Sequence, residues 1–337
     1  MNIYDIAAES KTSISTVSRV LNNKGNVNPQ MRRRVEEVLK KYNYQPSAIA
    51  RGMVSKTMKN IGILTVDVRE NHYARMIYVI EQDFSSRGYN VNVCSTGGSV
   101  RECGRYFEIL AGKQTDGIVL IGSVFNELSE HPEITSLIKN IPVVIANGKV
   151  ELPDFYSVLV DDVKGIRRAA EYLYDGGRRD LAYVIDKDTD SARRKMEGFL
   201  EAMKLRDVPD GPERVIRVPE SSLEGGFAAV CQIFEKGLSV NGIVCGQDIT
   251  AVGVIKALKR RGLRVPEDVA VIGCDNSPYS RICEPELASL DNKPELLGRM
   301  CARILAARLE QEDGEEAETE TGAAIQPEII VRESARL

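Results

Sequence analysis

The chain has 337 residues, is 43% hydrophobic and carries a formal net charge of −4 at pH 7, enough to bury a large core in two or three domains. It has no apolar run long enough to cross a membrane as a helix. Its seven cysteines form no CxxC pair and only His72 and His131 are present, which argues against a disulfide framework, a histidine-rich metal site and most histidine-based catalysis, and implies no cofactor. The charge is uneven. Residues 1–60 hold 11 Lys or Arg against Asp5, Glu9, Glu36 and Glu37, whereas the rest of the chain holds 34 basic and 45 acidic side chains. A basic head on an acidic body points to a polyanionic partner for the head alone. The opening MNIYDIAAESK lacks the basic-then-apolar layout of a signal peptide, which predicts a cytoplasmic protein.

The first 57 residues read as three short helices and a connection. Tyr4 to Glu9 forms the first, with Ile6 and Ala7 on one side, and a turn follows near Ser10 to Thr12. Ser13 is placed to cap a second helix from Ile14 to about Asn22, whose Val17, Val20 and Leu21 recur at helical spacing. Asn28-Pro29 is a strong start for a third, which is expected to bury Val35, Val38, Leu39 and Tyr42 and to expose Arg32, Arg33, Arg34, Lys40 and Lys41. Two helices joined by a tight turn and braced by a third describe a helix-turn-helix. With its valines inward, the second helix leaves Ile14, Ser15, Ser18 and Arg19 near the outer face. Its slim sides suit a major groove, its hydroxyls suit phosphates, and one arginine fork suits guanine O6 and N7.

YDIA(x)8STVSRVLN at 4–22, NVNP at 26–29 and YQPSAIARGM at 44–53 resemble the signature of LacI/GalR-type transcription regulators, and the similarity continues through the chain. The resemblance implies a repressor that binds double-stranded palindromic operator DNA as a homodimer. It gives Ile14 and Ser15 the specificity positions and Arg19 the base-reading one. It further implies DNA contacts from Tyr4, Ser13, Thr16, Ser18, Asn22 and Asn26, and from Ser47, Ala50 and Met53 in a hinge helix at 46–54. Met53 stands where the family places a leucine wedge for the minor groove. A single turn containing Gly52 is too short to be stable alone, so the hinge is expected to fold on DNA. Lys11 stands where the family often has the turn glycine, and is expected to adopt positive φ.

From residue 60 onward strand-like runs alternate with helical ones: Ile61-Val68, Tyr89-Ser95, Gly117-Gly122, Pro142-Asn147, Leu181-Asp186, Val215-Val218, Gly242-Gly246 and Val269-Asp275. This is a doubly wound parallel α/β pattern. It repeats, DGIVLIG at 116–122 echoing NGIVCG at 241–246 and PVVIAN at 142–147 echoing VAVIGCD at 269–275. Two lobes with a cleft between their strand ends follow, and the family resemblance implies a core like that of periplasmic binding proteins. The expected division is a headpiece at 1–57 and a core at 60–337. Lobe 1 takes about 60–158 and 290–322, with a helix from Lys293 to about Leu309, and lobe 2 about 159–289 and 323–337. An acidic loop at 311–322 precedes a last strand at Ala324 to Val331, and the ending RESARL carries no leucine heptads, which favours a dimer over a tetramer.

The resemblance implies effector contacts at His72, Tyr73, Asn147, Lys195, Gln247 and Asp275, and regulation of carbohydrate-related genes. Several of these depart from the family's sugar-binding pattern. Lys195 replaces an arginine, Gln247 an asparagine and Asn147 an aspartate, while Glu70-Asn71-His72-Tyr73 replaces the usual N-P-F-F. Lysine is a point charge without a planar fork, so a phosphorylated or acidic sugar is an alternative to a plain sugar. AIARGMVSK in the hinge and AGKQTDGIV at 111–119 look like the catabolite-control branch of the family, which implies a second possible partner, a serine-phosphorylated phosphocarrier protein acting as corepressor. An enzyme reading lacks a phosphate loop or nucleophile-base pair, since Gly97-Gly98-Ser99 matches neither P-loop nor GxGxxG spacing. A solute-binding protein would not need the basic head.

Overall fold

In the computed structural model the described residues are 2–21, 27–44, 57–208, 211–310 and 324–336. Tertiary contacts separate residues 1–60, with 114–116, from the remainder of the chain, and the two units are taken in turn. The hinge at 46–54, the acidic loop at 311–322 and the expected contacts Asn22, Asn26, Ser47, Ala50 and Met53 lie outside the described residues.

The headpiece is three helices, α1 (Ile3–Ser10), α2 (Ile14–Leu21) and α3 (Pro29–Lys41). Asn2 accepts from the Tyr4 and Asp5 amides while Asp5 accepts from the Asn2 amide, a capping box that starts α1. Lys11 ends that helix at φ 52° and ψ 44°, its amide turned back onto the Ala7 and Ala8 carbonyls. The Ser13 hydroxyl accepts from the Thr16 amide at 3.2 Å and starts α2, and Asn28 caps α3 through the Gln30 amide at 2.9 Å. Ile6, Ala7, Val17, Val20, Val35 and Val38 form the core these three helices share. One expectation fails here. Tyr42 is 41% exposed, because it falls at the α3 terminus, and its hydroxyl instead donates to Glu9 Oε1 at 2.9 Å beside Lys41 Nζ at 2.8 Å. Leu39 is half-buried rather than buried. The Lys41 and Tyr42 bonds draw the exposed Glu9 carboxyl below its ordinary pKa, and tie α3 to α1.

The core holds two parallel sheets. The first runs β2 (Asn90–Ser95), β1 (Asn60–Thr65), β3 (Gly117–Ile121), β4 (Val143–Ala146), β5 (Phe155–Val158). The second runs β11 (Glu328–Ile330), β10 (Ala288–Asp291), β9 (Ala270–Cys274), β8 (Gly242–Cys245), β6 (Leu181–Ile185), β7 (Val215–Arg217), with β11 antiparallel at its edge. Setting β11 aside, both sheets have the same winding, so the sequence echo between β3 and β8, and between β4 and β9, is an echo of position. Helices α4 (Asn71–Ser86) and α10 (Pro294–Glu310) cover one face of the first sheet through Met76, Ile80, Leu297 and Leu305, and α5 (Val100–Gly112) covers the other through Phe107 and Leu110. In the second lobe α6 (Asp162–Asp175) and α7 (Asp190–Leu205) lie on one face, and α8 (Leu223–Glu235) and α9 (Asp248–Arg260) on the other. A Cβ on Gly198 of α7 would collide with the Val163 carbonyl of α6, so this helix pair packs backbone against side-chain-free backbone. The chain passes between lobes near Val160, near Asn292 and near Ile325; the single last strand expected at Ala324 to Val331 is instead an isolated bridge of Ile325 to Val160 followed by the three-residue β11. No described helix is long and apolar enough to cross a membrane.

Candidate functional site

Two sites emerge, one in each unit. On the headpiece, the buried Val17 and Val20 fix which side of α2 faces out. Ser13, Ile14, Ser15 and Arg19 are exposed, Thr16 and Ser18 half-buried, and Tyr4 is 67% exposed on α1. The hydroxyls are organised among themselves: Ser13 Oγ lies 2.8 Å from Ser15 Oγ and 2.9 Å from Thr16 Oγ1. The start of α2 therefore presents a helix N-terminus and three clustered hydroxyls, all suited to phosphate, with Arg19 one and a half turns further along.

The second site is a cavity between the lobes of the core, of about 50 Å3, lined by 19 residues that include all six expected effector contacts, His72, Tyr73, Asn147, Lys195, Gln247 and Asp275. Strand ends build it. Gly122 and Gly246 follow β3 and β8, and Asn147 and Asp275 follow β4 and β9 at φ 54° and φ 98°. These are matched positions in the two lobes, and the carboxyl ends of parallel strands are where open α/β sheets place ligands. His72 and Tyr73 enter from the start of α4, Lys195 from α7, and Gln247 from the residue that caps α9. A wider chamber of about 300 Å3 opens outward, sharing Glu70, His72, Gln247 and Asp275 and adding Arg69, Ser221 and Tyr279.

Lys195 is only 9% exposed, and its ammonium donates to the Gly246 carbonyl at 3.2 Å. Burial opposes its charge, but Cys274, Asp275, Asp162 and Tyr183 around it hold its pKa well above the ordinary lysine value. Burial likewise opposes the Asp275 charge, and Lys195, His72, Lys187 and an Asn292 hydrogen bond outweigh it, so this carboxyl sits below its ordinary pKa. Burial lowers the His72 pKa, against the pull of Asp275, whose Oδ1 lies 3.8 Å from its Nδ1. Burial also raises Asp186, against a hydrogen bond from the Thr250 hydroxyl.

Sequence reasoning missed Tyr183, Asp186, Lys187, Ser191 and the role of Glu70. Tyr183 is fully buried, stacked on Phe199 at 5.6 Å, and its hydroxyl has no hydrogen-bonding partner among the described residues. In an apolar strand it reads as core, yet from the middle of β6 it lines the cavity wall. His72 Nδ1 and Asn71 Oδ1 are likewise buried without a partner among the described residues. Such orphans cost about 1–3 kcal/mol each unless something satisfies them.

Residues 2–47 match the family described as bacterial regulatory proteins, lacI family, and residues 170–335 match a periplasmic binding protein-like domain. An HTH-type transcriptional regulator of Lachnoclostridium phytofermentans is 31% identical over 336 residues, 99% of this chain and 99% of that protein. The HTH-type transcriptional repressor PurR of Photorhabdus laumondii is 30% identical over 98% of this chain and 96% of that protein. The lac repressor dimer bound to operator and the anti-inducer ONPF is similar in fold, with a TM-score of 0.84 over 99% of both chains at 20% identity.

Proposed function

This chain belongs to the LacI family of DNA-binding transcriptional regulators, not to a family of enzymes, and from that membership we propose that it represses carbohydrate-related genes as a homodimer on a palindromic operator. Under this reading α2 reads the major groove, Arg19 supplies a base contact, and Ile14 with Ser15 chooses the operator. The exposure of those residues beside the buried Val17 and Val20 carries the reading. One α2 reads few base pairs, so two-fold pairing is needed for specificity. An apolar groove of about 550 Å3 on lobe 2, where Ile282 is 76% exposed beside Ile249, Val252 and Ile255, supports a dimer face there.

The effector, in this proposal, is a neutral, hydroxyl-rich small molecule held by the six cleft residues together with Tyr183. The cavity's charge supports neutrality. Lys187 is spent on Glu70, the Lys195 ammonium bonds the Gly246 carbonyl with the Asp275 charge nearby, and Asp186 adds a further acidic group. A phosphorylated sugar would meet lysines whose charge is already offset by Glu70, Asp275 and Asp186. A second reading, the phosphoserine-bearing carrier protein, draws support from a different surface. Leu296, Arg299 and Arg303 are exposed at i, i+3 and i+7 on α10, and arginine forks suit phosphoserine.

Selection of bound DNA from a random pool tests the main reading, repeated with neutral sugars, sugar phosphates and the phosphorylated carrier. A two-fold-symmetric sequence whose binding responds to a neutral sugar is expected. Recovery of unrelated sequences overturns operator reading, and a response to the phosphates or the carrier alone overturns the neutral effector.

A further inference from the structure

Several polar groups in and around the cleft bond to one another from lobe to lobe. On one flank Lys187 Nζ of lobe 2 donates to both Glu70 oxygens of lobe 1 at 2.8 Å. Beside it Arg75 of α4, held by Glu295 at 2.6 and 2.9 Å, donates to the Asp275 and Asn276 carbonyls at 3.3 and 3.2 Å. On the other flank Asn126 Nδ2 donates to Asp190, the Ser191 amide donates to Ser123 Oγ at 3.0 Å, and Asn147 bonds both Ser191 and Arg194. The inner cavity is thereby bridged by protein on two flanks and opens toward the wider chamber. The inner cavity, the part lined by all six expected contacts, is about 50 Å3, well below the cavity of about 150 Å3 that accommodates one benzene ring.

We propose that the two lobes are latched together by their own side chains, with the Lys187–Glu70 ion pair as the charged bridge, so that a ring-sized effector reaches the inner cavity by displacing these bonds rather than by drawing open lobes together. The inference rests on the cleft being the effector site, but the latch itself makes no reference to a ligand. Its consequence is a direction: effector occupancy and the present closed arrangement oppose one another, and affinity is lowered by the fraction of time the latch is closed.

The Ser191 amide reports the latch directly. It lies in the first turn of α7, where an amide has no partner within its own helix, and its bond is to Ser123 across the cleft. Hydrogen exchange of the full chain, stripped of small molecules and without DNA, is read by mass spectrometry at this amide. The latch predicts slow exchange in the native chain and exchange at least about tenfold faster in Lys187→Ala, as expected when a partly buried charged bond is lost. The exchanged pair Glu70→Lys with Lys187→Glu restores protection. Exchange at Ser191 as fast as in surface loops, or no change in Lys187→Ala, overturns the latch. Neither result touches the assignment of the cleft as the effector site, which the sugar panel decides separately.

Discussion

Asp248 offers a quantitative test of how the lobe 2 wall of the cleft is built. Its side chain is 2% exposed at the start of α9, and it accepts from the Ser277 amide at 2.7 Å, the Ser277 hydroxyl at 2.8 Å and the Ser289 hydroxyl at 2.6 Å. Burial pushes its pKa from 3.8 up to about 7, only partly offset by those three bonds, with nearby Asp275 adding to the rise. A folded-state pKa above the unfolded one contributes stability that is complete below the unfolded value and drains away as pH rises through the folded value. Between pH 5 and pH 8 the unfolded chain is already ionised throughout, whereas folded Asp248 loses its proton only near the top of the window. Integrating the difference costs the fold about 2.5 kcal/mol over that interval. Asp248→Asn removes the titration and keeps the bonds. The amide oxygen accepts from Ser277 twice, and the amide nitrogen donates to the Ser289 hydroxyl. Urea unfolding of wild type and variant, followed by circular dichroism at both pH values, should show the variant gaining on the wild type by about that amount at pH 8 relative to pH 5. A variant offset from the wild type by the same amount at both pH values would refute the argument, because it would mean that the carboxyl never carries the proton.

Three further outcomes are expected. Arg19→Ala should weaken binding to the selected operator by about 1–3 kcal/mol and relax preference at one base position, and equal weakening on random DNA in a gel-shift titration counts against base reading. Tyr183→Phe removes a buried hydroxyl without a partner among the described residues, so its unfolding midpoint should equal or exceed that of wild type while calorimetric affinity for the identified effector falls; a lower midpoint would show that the hydroxyl is satisfied in the fold. Gly198→Ala drives a methyl into the Val163 carbonyl and should cost about 3 kcal/mol of stability, read by chemical denaturation, whereas a near-neutral result would show that α6 and α7 separate readily.

Much of this architecture is legible in the chain because its elements are long and periodic. All eight strands expected from apolar runs are strands, and the sheet order repeats where the sequence repeats. The missed strands, Phe155–Val158 and Ala288–Asp291, are four residues long and mix polar with apolar side chains, so neither period nor length marks them. Tyr42 misled because helical spacing extrapolates past the end of a helix, where no neighbouring turn covers the ring. In the cleft, the six residues named from family resemblance do come together on one cavity. What resemblance could not supply were the groups particular to this chain. Asp186 and Lys187 follow a buried strand and read as an ordinary polar exit from it. Their convergence with Glu70, more than a hundred residues away, is a product of lobe closure and leaves no local signature.

The duplicated topology has a chemical consequence. Matched strand ends give each lobe one rim of the cavity, but the two rims differ in charge. Lobe 2 carries Lys195, Asp275, Asp186 and Lys187. Lobe 1 presents Asn147, Ser123, a His72 whose pKa burial lowers, and a Tyr73 whose hydroxyl burial holds in its protonated form. Glu70, the charged exception on lobe 1, is neutralised by Lys187 from the opposite rim. The Lys195 and Asp275 charges stabilise one another within a single lobe, so the field they set up does not depend on how far the lobes stand apart. Closure then adds the Lys187–Glu70 ion pair and the hydrogen bonds of Ser123 and Asn147. A substitution at Lys195 alters the charge of the cavity in either arrangement, whereas one at Asn147 removes bonds to Ser191 and Arg194 that exist only while the lobes are together. The lobe that carries most of the cavity's charge and the lobe that carries most of its neutral polar groups are thus distinct parts of the chain, although both are built on the same strand pattern.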